Sequence, residues 1–255
     1  LATTTQKIRL GSLVTCIYYR NPAMLARIAA DVDRLSNGRL ILGLGIGDLS
    51  REFAQMGLPF PGVRERQQAL EETLQIVSGL WGDAPFTYQG RHFQVYGAKV
   101  HPTPTQQPHI PILIGWGGER VTLRQVACYG DASNFGRTSV ARSVSNPDDV
   151  ARKYEVLRSH CEAIGRPYES VLRSYFTILL IIAETHDMVQ AKLDAMPKQL
   201  RALFGSSIIA GTPYEVIVLC QALVHADVQY FIMQILLNDT ETLQLLAQEV
   251  MPALQ

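Results

Sequence analysis

The segment Leu42-Gly43-Leu44-Gly45-Ile46-Gly47-Asp48 has a spacing that points to chemistry. Side chains alternate faces along a strand, so the three glycines share one face and Leu42, Leu44 and Ile46 the other. Barrel interiors are normally filled by branched side chains. Three glycines leave a slot that either a flat ligand ring or a bulky neighbouring side chain must fill. Asp48 follows directly. Its carboxylate can act as acid or base, orient a substrate, or cap the next turn. Glu52 sits about one helical turn further on. A dinucleotide fingerprint fits poorly: Ser50 takes the place of the third glycine, and Pro59 and Pro61 precede the next long helix.

A second candidate is Ile114-Gly115-Trp116-Gly117-Gly118-Glu119, between a strand and a helix. Backbone N–H groups of such a turn, with the helix dipole behind them, suit an anion such as a cofactor phosphate; the alternative is an ordinary flexible turn. Arg120 and Arg124 either assist the anion or solvate the helix. A third candidate is Gly11-Ser12-Leu13-Val14-Thr15 at a strand end, where Ser12 and Thr15 offer hydroxyls to a ligand or to the strand itself. Asn134, at another strand end, carries the same two readings. His92, His101, His109, His160, His186 and His225 show no ligand spacing, and no metal site is expected. Trp81, Phe93 and Tyr96 read as packing residues.

These residues need strands and helices to hold them. Lys7–Thr15 reads as a strand, and Leu1–Gln6 as the tail of a helix before it. Helices are expected from Asn21-Pro22 to about Leu35, over Val63–Trp81, Arg120–Tyr129, Asn146-Pro147 to Ile164, Asp187–Phe204, Pro213–His225 and Asp239–Met251. Strands are expected at Leu40–Ile46, Ile110–Ile114, Asp131–Phe135, Leu172–Ala183 and Val228–Leu236, with a small hairpin at Phe86–Val95. Repeated strand–helix alternation with continuous apolar strands predicts a parallel sheet covered by helices. A doubly wound sheet and a (β/α)8 barrel both satisfy this; segments near 83–108 and 184–212 read as excursions from a barrel. Residues 1–255 are expected to form one domain.

Composition narrows the partners. Lys plus Arg equals Asp plus Glu at 23 each, with no basic block, which argues against nucleic acid. No apolar run is long enough to span a bilayer, so no membrane is expected. Four scattered cysteines make neither a zinc motif nor a disulfide framework and suit a reducing cytoplasm.

Several stretches occur together in order: Ile8-Arg9-Leu10-Gly11, Tyr19-Arg20-Asn21-Pro22, Leu35-Ser36-Asn37-Gly38-Arg39, Gly43 to Gly47, Pro59-Phe60-Pro61 with Arg64-Glu65-Arg66, Pro111 to Gly115, and Tyr129-Gly130-Asp131. The set resembles the bacterial luciferase-like monooxygenase family, especially its coenzyme F420-dependent branch, most strongly over residues 1–137. The resemblance implies a (β/α)8 TIM barrel with its first two βα units absent from this chain, roughly 60 residues at about 30 per unit. It implies F420, or alternatively FMN, at the C-terminal strand ends. Ser12 and Leu13 would then support the ring from behind through a bulge with a cis peptide at Ser12-Leu13, and Thr15 would lie near the ring's polar edge. Gly45, Ile46 and Gly47 would line it with Asp48 as the catalytic group. Gly115, Trp116, Gly117 and Gly118 would hold the tail, with Asn134 and Arg137 beyond.

Two departures stand out. The family's catalytic histidine on an earlier strand has no counterpart, and Asp48 stands where many relatives carry an aromatic residue. In F420-type glucose-6-phosphate dehydrogenases an acidic residue occupies that place. The expected activity is hydride transfer to or from a small organic substrate. The alternatives are FMN-dependent monooxygenation with reduced flavin supplied by a separate reductase, as F420 would be by its own, or flavin binding without turnover. An aldolase or isomerase would want a lysine or paired acids at strand ends, and none stands out. A homodimer is expected.

Overall fold

The computed structural model describes residues 1–137, 144, 146–236 and 238–254, without the side chains of Arg137 and Ser206. Short parallel strands alternate with helices. In chain order they begin with β1 (Leu10–Gly11), β2 (Thr15–Cys16), α1 (Pro22–Leu35), β3 (Leu40–Gly45), α2 (Ser50–Gln55) and α3 (Val63–Leu80). The antiparallel hairpin β4 (Phe86–Gln89) and β5 (Gln94–Ala98) precedes β6 (Ile112–Gly115) and α4 (Thr122–Tyr129). Then come β7 (Ala132–Arg137), α5 (Pro147–Ala163), β8 (Leu172–Thr177), β9 (Leu179–Ile182), α6 (His186–Ala195), α7 (Lys198–Phe204), β10 (Ile208–Gly211), α8 (Pro213–His225), β11 (Tyr230–Met233) and α9 (Thr240–Leu245). The chain divides into two compact units, Leu1–Ser133 with His160–Val171, and Asn134–Ser159 with Leu172–Gln255.

In the first unit β3 is the axis. β1 and β2 both pair with it in parallel, and β6 pairs with its other side through Leu42↔Ile112, Gly43↔Leu113 and Leu44↔Ile114. Leu42, Leu44, Ile112 and Ile114 are buried, as a strand covered on both faces requires. α1 begins where Asn21 Oδ1 accepts the Ala23 N–H and Pro22 occupies the first turn. Its buried Leu25, Ala26, Ala29 and Ala30 face inward, and the Trp81 indole N–H donates to Ala26 O at 3.0 Å, tying α1 to the end of α3.

In the second unit β8 pairs with β11, and β9 with β10, all in parallel. Leu180, Ile182, Ile209, Val216, Cys220, Leu245 and Val250 form its core. The Lys192 ammonium joins the Asp239 carboxylate at 2.7 Å, Ile182 O and Thr242, locking α6 and α9 onto β9.

Four expectations need correction. The Lys7–Thr15 strand is two strands of two residues each, because residues 12–14 leave the ladder and fold over Gly43. Leu172–Ala183 is two strands in different pairings, a break that a continuous apolar run does not reveal. β10 lies between two expected helices, in a stretch to which no strand was assigned, being just four residues long. Residues 1–6 form turns, with the Thr4 and Thr5 N–H groups donating to Leu1 O.

Candidate functional site

The glycine face of β3 is filled by the chain itself. A Cβ on Gly43 would lie 1.8 Å from Ser12 O, one on Gly45 2.5 Å from Val14 Cγ2, and one on Gly115 2.9 Å from Val14 Cγ1. Glycines from two neighbouring strands thus form a socket for Val14. This corrects the reading of a free slot for a flat ring: of the two occupants weighed for it, a side chain is the one present. The cis peptide is at Leu13-Val14, not at Ser12-Leu13, so it immediately precedes the residue in the socket. The Ser12 hydroxyl donates to Gly43 O at 3.1 Å and accepts from the Thr15 hydroxyl at 2.9 Å. Both hydroxyls therefore brace the bulge. The opposite side of the bulge is open: Leu13 is 40% and Val14 37% exposed.

The loop after β3 is held from beneath. Gly47 has φ +72, and a Cβ there would meet the Phe53 ring at 2.7 Å and Cys16 Sγ at 2.9 Å. The buried Arg66 guanidinium donates to Gly47 O, to Ile46 O at 3.4 Å and to Pro61 O at 3.1 Å, and lies 4.0 Å over the Phe60 ring. Phe53 in turn packs against Tyr18, Tyr19 and Phe60. This aromatic and cationic base presents Asp48 to solvent, where its carboxylate has no hydrogen-bond partner among the described residues. Beside it the Tyr19 hydroxyl donates to Glu52 Oε2 at 2.7 Å. That bond to a carboxylate, followed by burial, pushes the Tyr19 phenol up to about 12.

The turn after β6 is pinned at both ends. Gly115 lies under Val14, and a Cβ on Gly118 would be 3.0 Å from Thr122 Oγ1. Glu119 O contacts the His160 ring nitrogen at 2.8 Å. Arg124 pairs with Glu71 at 2.9 and 3.0 Å. Trp116 has φ +95 and is half-buried.

Ser12, Thr15, Gly45 and Gly115 are therefore brought together around Val14, with Leu13 on the same bulge, Ile46, Gly47 and Asp48 continuing from β3, and Trp116, Gly117 and Gly118 from β6. Asn134 belongs to the second unit, where its side-chain amide donates to Ser174 Oγ at 2.9 Å. The Arg137 side chain lies outside the described residues. Val14 and Arg66 were given no role of their own in the residue-by-residue reading, although Val14 lies inside the third candidate segment and Arg66 in the Pro59–Pro61 and Arg64–Arg66 pattern.

A flat ring with an anionic tail fits these residues. The glycine socket seats a bulge whose open side is apolar, and a glycine-rich turn of the adjacent strand lies beside it. A free slot on β3 is not part of the fit.

Solved structures identify the architecture. The coenzyme F420 dependent tetrahydromethanopterin reductase from Methanopyrus kandleri superposes with TM-score 0.79 at 23% identity, over 100% of this chain and 85% of that one. The fold is thus the α/β barrel of the luciferase-like type. The model of the luciferase-like monooxygenase family matches residues 1–221, and the chain belongs to that family. An F420-dependent glucose-6-phosphate dehydrogenase from Kineococcus radiotolerans is 36% identical over 123 residues, 48% of this chain. A pyrimidine monooxygenase from Acinetobacter baylyi is 28% identical over 195 residues, 75% of this chain and 49% of its own length. The chain spans 36%, 35% and 61% of the lengths of three F420-dependent relatives. No helix among the described residues is long and apolar enough to cross a membrane.

Proposed function

We propose that this protein is an F420-dependent oxidoreductase that moves a hydride to or from a small organic substrate, within one barrel domain spanning 1–255. When bound, the deazaflavin supplies the hydride chemistry. Leu13 and Val14 support its ring, braced by Ser12 and Thr15. Gly45, Ile46 and Gly47 border the ring, and Gly115, Trp116, Gly117 and Gly118 hold the tail, with Asn134 beyond. Asp48 takes the proton from a substrate hydroxyl or returns it. The observation that carries this reading is the Val14 socket, built by Gly43, Gly45 and Gly115 with an apolar open side next to a glycine turn. The F420-dependent dehydrogenases among its relatives favour the deazaflavin.

A second reading, reduced FMN with oxygen, is favoured by the pyrimidine monooxygenase, which matches more of the chain. Under either reading the protein works as a homodimer in the cytoplasm, and a separate F420 or flavin reductase supplies reduced cofactor. Titration of the purified protein with F420 and with FMN, followed by fluorescence polarisation, tests both. Saturable binding of F420 in preference to FMN is expected; the reverse preference selects the second reading. Failure of both to bind sinks the proposal.

A further inference from the structure

Four residues other than glycine have positive φ among the described residues: Asn37 at 55°, Trp116 at 95°, Asp227 at 75° and Asn238 at 53°. Asn and Asp tolerate this region because their short polar side chains bond locally. Trp116 has no such excuse. A bulky ring at φ +95 is a genuine outlier, and such outliers persist only where their surroundings over-determine them. Here they do. One side of the turn is held by Gly115 against Val14, the other by Gly118 against Thr122 and by His160 on Glu119 O.

The two tryptophans of the chain differ in what they do for the fold. Trp81 is 5% exposed, donates its N–H to Ala26 O and stacks on His109 at 6.4 Å and 15°. Trp116 is half-buried, and among the described residues it makes neither a hydrogen bond nor a ring contact. No hydrogen bond or ring contact among the described residues accounts for holding this indole in a strained backbone. Its partly exposed ring and its N–H stand at the C-terminal end of β6, one residue from the glycine that seats the bulge.

We propose that Trp116 is a ring-stacking residue of the site, held at an unfavourable φ to present its indole face to a planar conjugated ligand. The inference rests on the proposed function, in which the backbone of this turn holds the tail, and gives the Trp116 side chain a separate role: it faces an aromatic or quinonoid ring, with a hydrogen-bond acceptor in reach of the indole N–H. The ring belongs either to the cofactor or to a substrate lying against it.

The test uses the whole chain with Trp116→Gly and Trp116→Phe. Glycine accepts the backbone angle and removes the ring; phenylalanine keeps a ring at the same angle. Melting temperature is measured first. Trp116→Gly is expected to melt no lower than the parent, and about 2–4 °C higher if the strain is released in full. A fall of about 5 °C or more would make Trp116 a packing residue and overturn the inference. F420 and FMN are then titrated by polarisation, followed by menadione, a planar naphthoquinone, on protein saturated with whichever cofactor binds.

Loss of about tenfold in cofactor affinity in Trp116→Gly, with Trp116→Phe within about threefold of the parent, assigns the stacked ring to the cofactor. Unchanged cofactor affinity with the same loss for menadione assigns it to the substrate. If neither affinity changes, the inference falls and the proposed function stands. A parent protein that binds neither cofactor brings down the proposed function, and this inference with it.

Discussion

The two ends of the strands in the first unit are built on opposite principles. At the start of β3 and β6, polar groups are saturated. The buried Asp33 carboxylate accepts the Thr105 and Gln106 N–H groups at 2.8 and 3.0 Å and the Gln106 side-chain amide at 2.7 Å, and that amide also donates to Leu40 O. Arg39 binds the carbonyls of Ala2, Thr5, Ile8 and Ser36 and the Thr5 hydroxyl. Asp131 accepts the Ile112 N–H at 2.8 Å. At the other end of the same strands stand a glycine socket, a non-proline cis peptide, a strained tryptophan and an unpaired exposed aspartate. One end is closed by a dense polar network, and the other exposes Asp48 and part of the Val14 bulge; the proposed function uses that second end, the face at which barrel enzymes carry their active sites.

This contrast can be broken by substitution. The largest effect is expected at the saturated end. Asp33→Ala strands three N–H donors in the interior and should cost about 3–5 kcal/mol, lowering the melting temperature by on the order of 10 °C. Cofactor affinity measured well below that melting point should not change; a loss of affinity would show that the two ends are not separable. Asp48→Asn is the converse. Turnover should fall about a hundredfold with melting temperature and cofactor affinity unchanged, and an active Asp48→Asn protein would remove Asp48 from the chemistry.

Gly45→Ala probes the socket itself. The added methyl meets Val14 at 2.5 Å, so a cost of about 1–3 kcal/mol is expected together with weaker cofactor binding. Gly62→Ala, where nothing lies within 4 Å, should change stability by less than about 1 kcal/mol in the same denaturant titration. Equal effects of the two would dissolve the socket.

The smallest effect concerns Tyr19. Its folded pKa is raised, so its hydrogen bond to Glu52 contributes fully below pH 10 and is lost as pH climbs towards 12. Tyr19→Phe should therefore be slightly less stable than the parent below pH 10, with the difference disappearing as pH rises from 10 towards 12. Glu52→Gln should bring the tyrosinate absorbance change back towards the ordinary phenol range. A Tyr19 midpoint unmoved by Glu52→Gln would place the cause elsewhere.

Much of this was legible in the residues. Asn21-Pro22 marks the start of α1, Gly165 at φ +70 follows the end of α5, and Asp239 caps α9 by accepting the Thr242 N–H. Each of these is a local signal, decided within a few residues. The glycines of β3 and the turn after β6 were also visible as places where a side chain would be out of place. What filled the space was not visible. Whether Gly43 and Gly45 faced a ligand or another side chain depended on Val14, some thirty positions away and unmarked by type. The split of Leu172–Ala183 was hidden for a related reason: both halves are apolar, and only their different partners separate them.

The sequence by itself determined the alternation of strands and helices and the family. The alternation follows from periodicity and caps, which act over short stretches of chain, and the family from the ordered set of motifs between Ile8 and Asp131. Only the tertiary structure decided that the β3 glycines seat a bulge, that Arg124 is bound to Glu71, and that Arg66 underpins the loop bearing Asp48. Each of those outcomes depends on which distant residue the fold brings to a shared volume or carbonyl, and close packing admits only one.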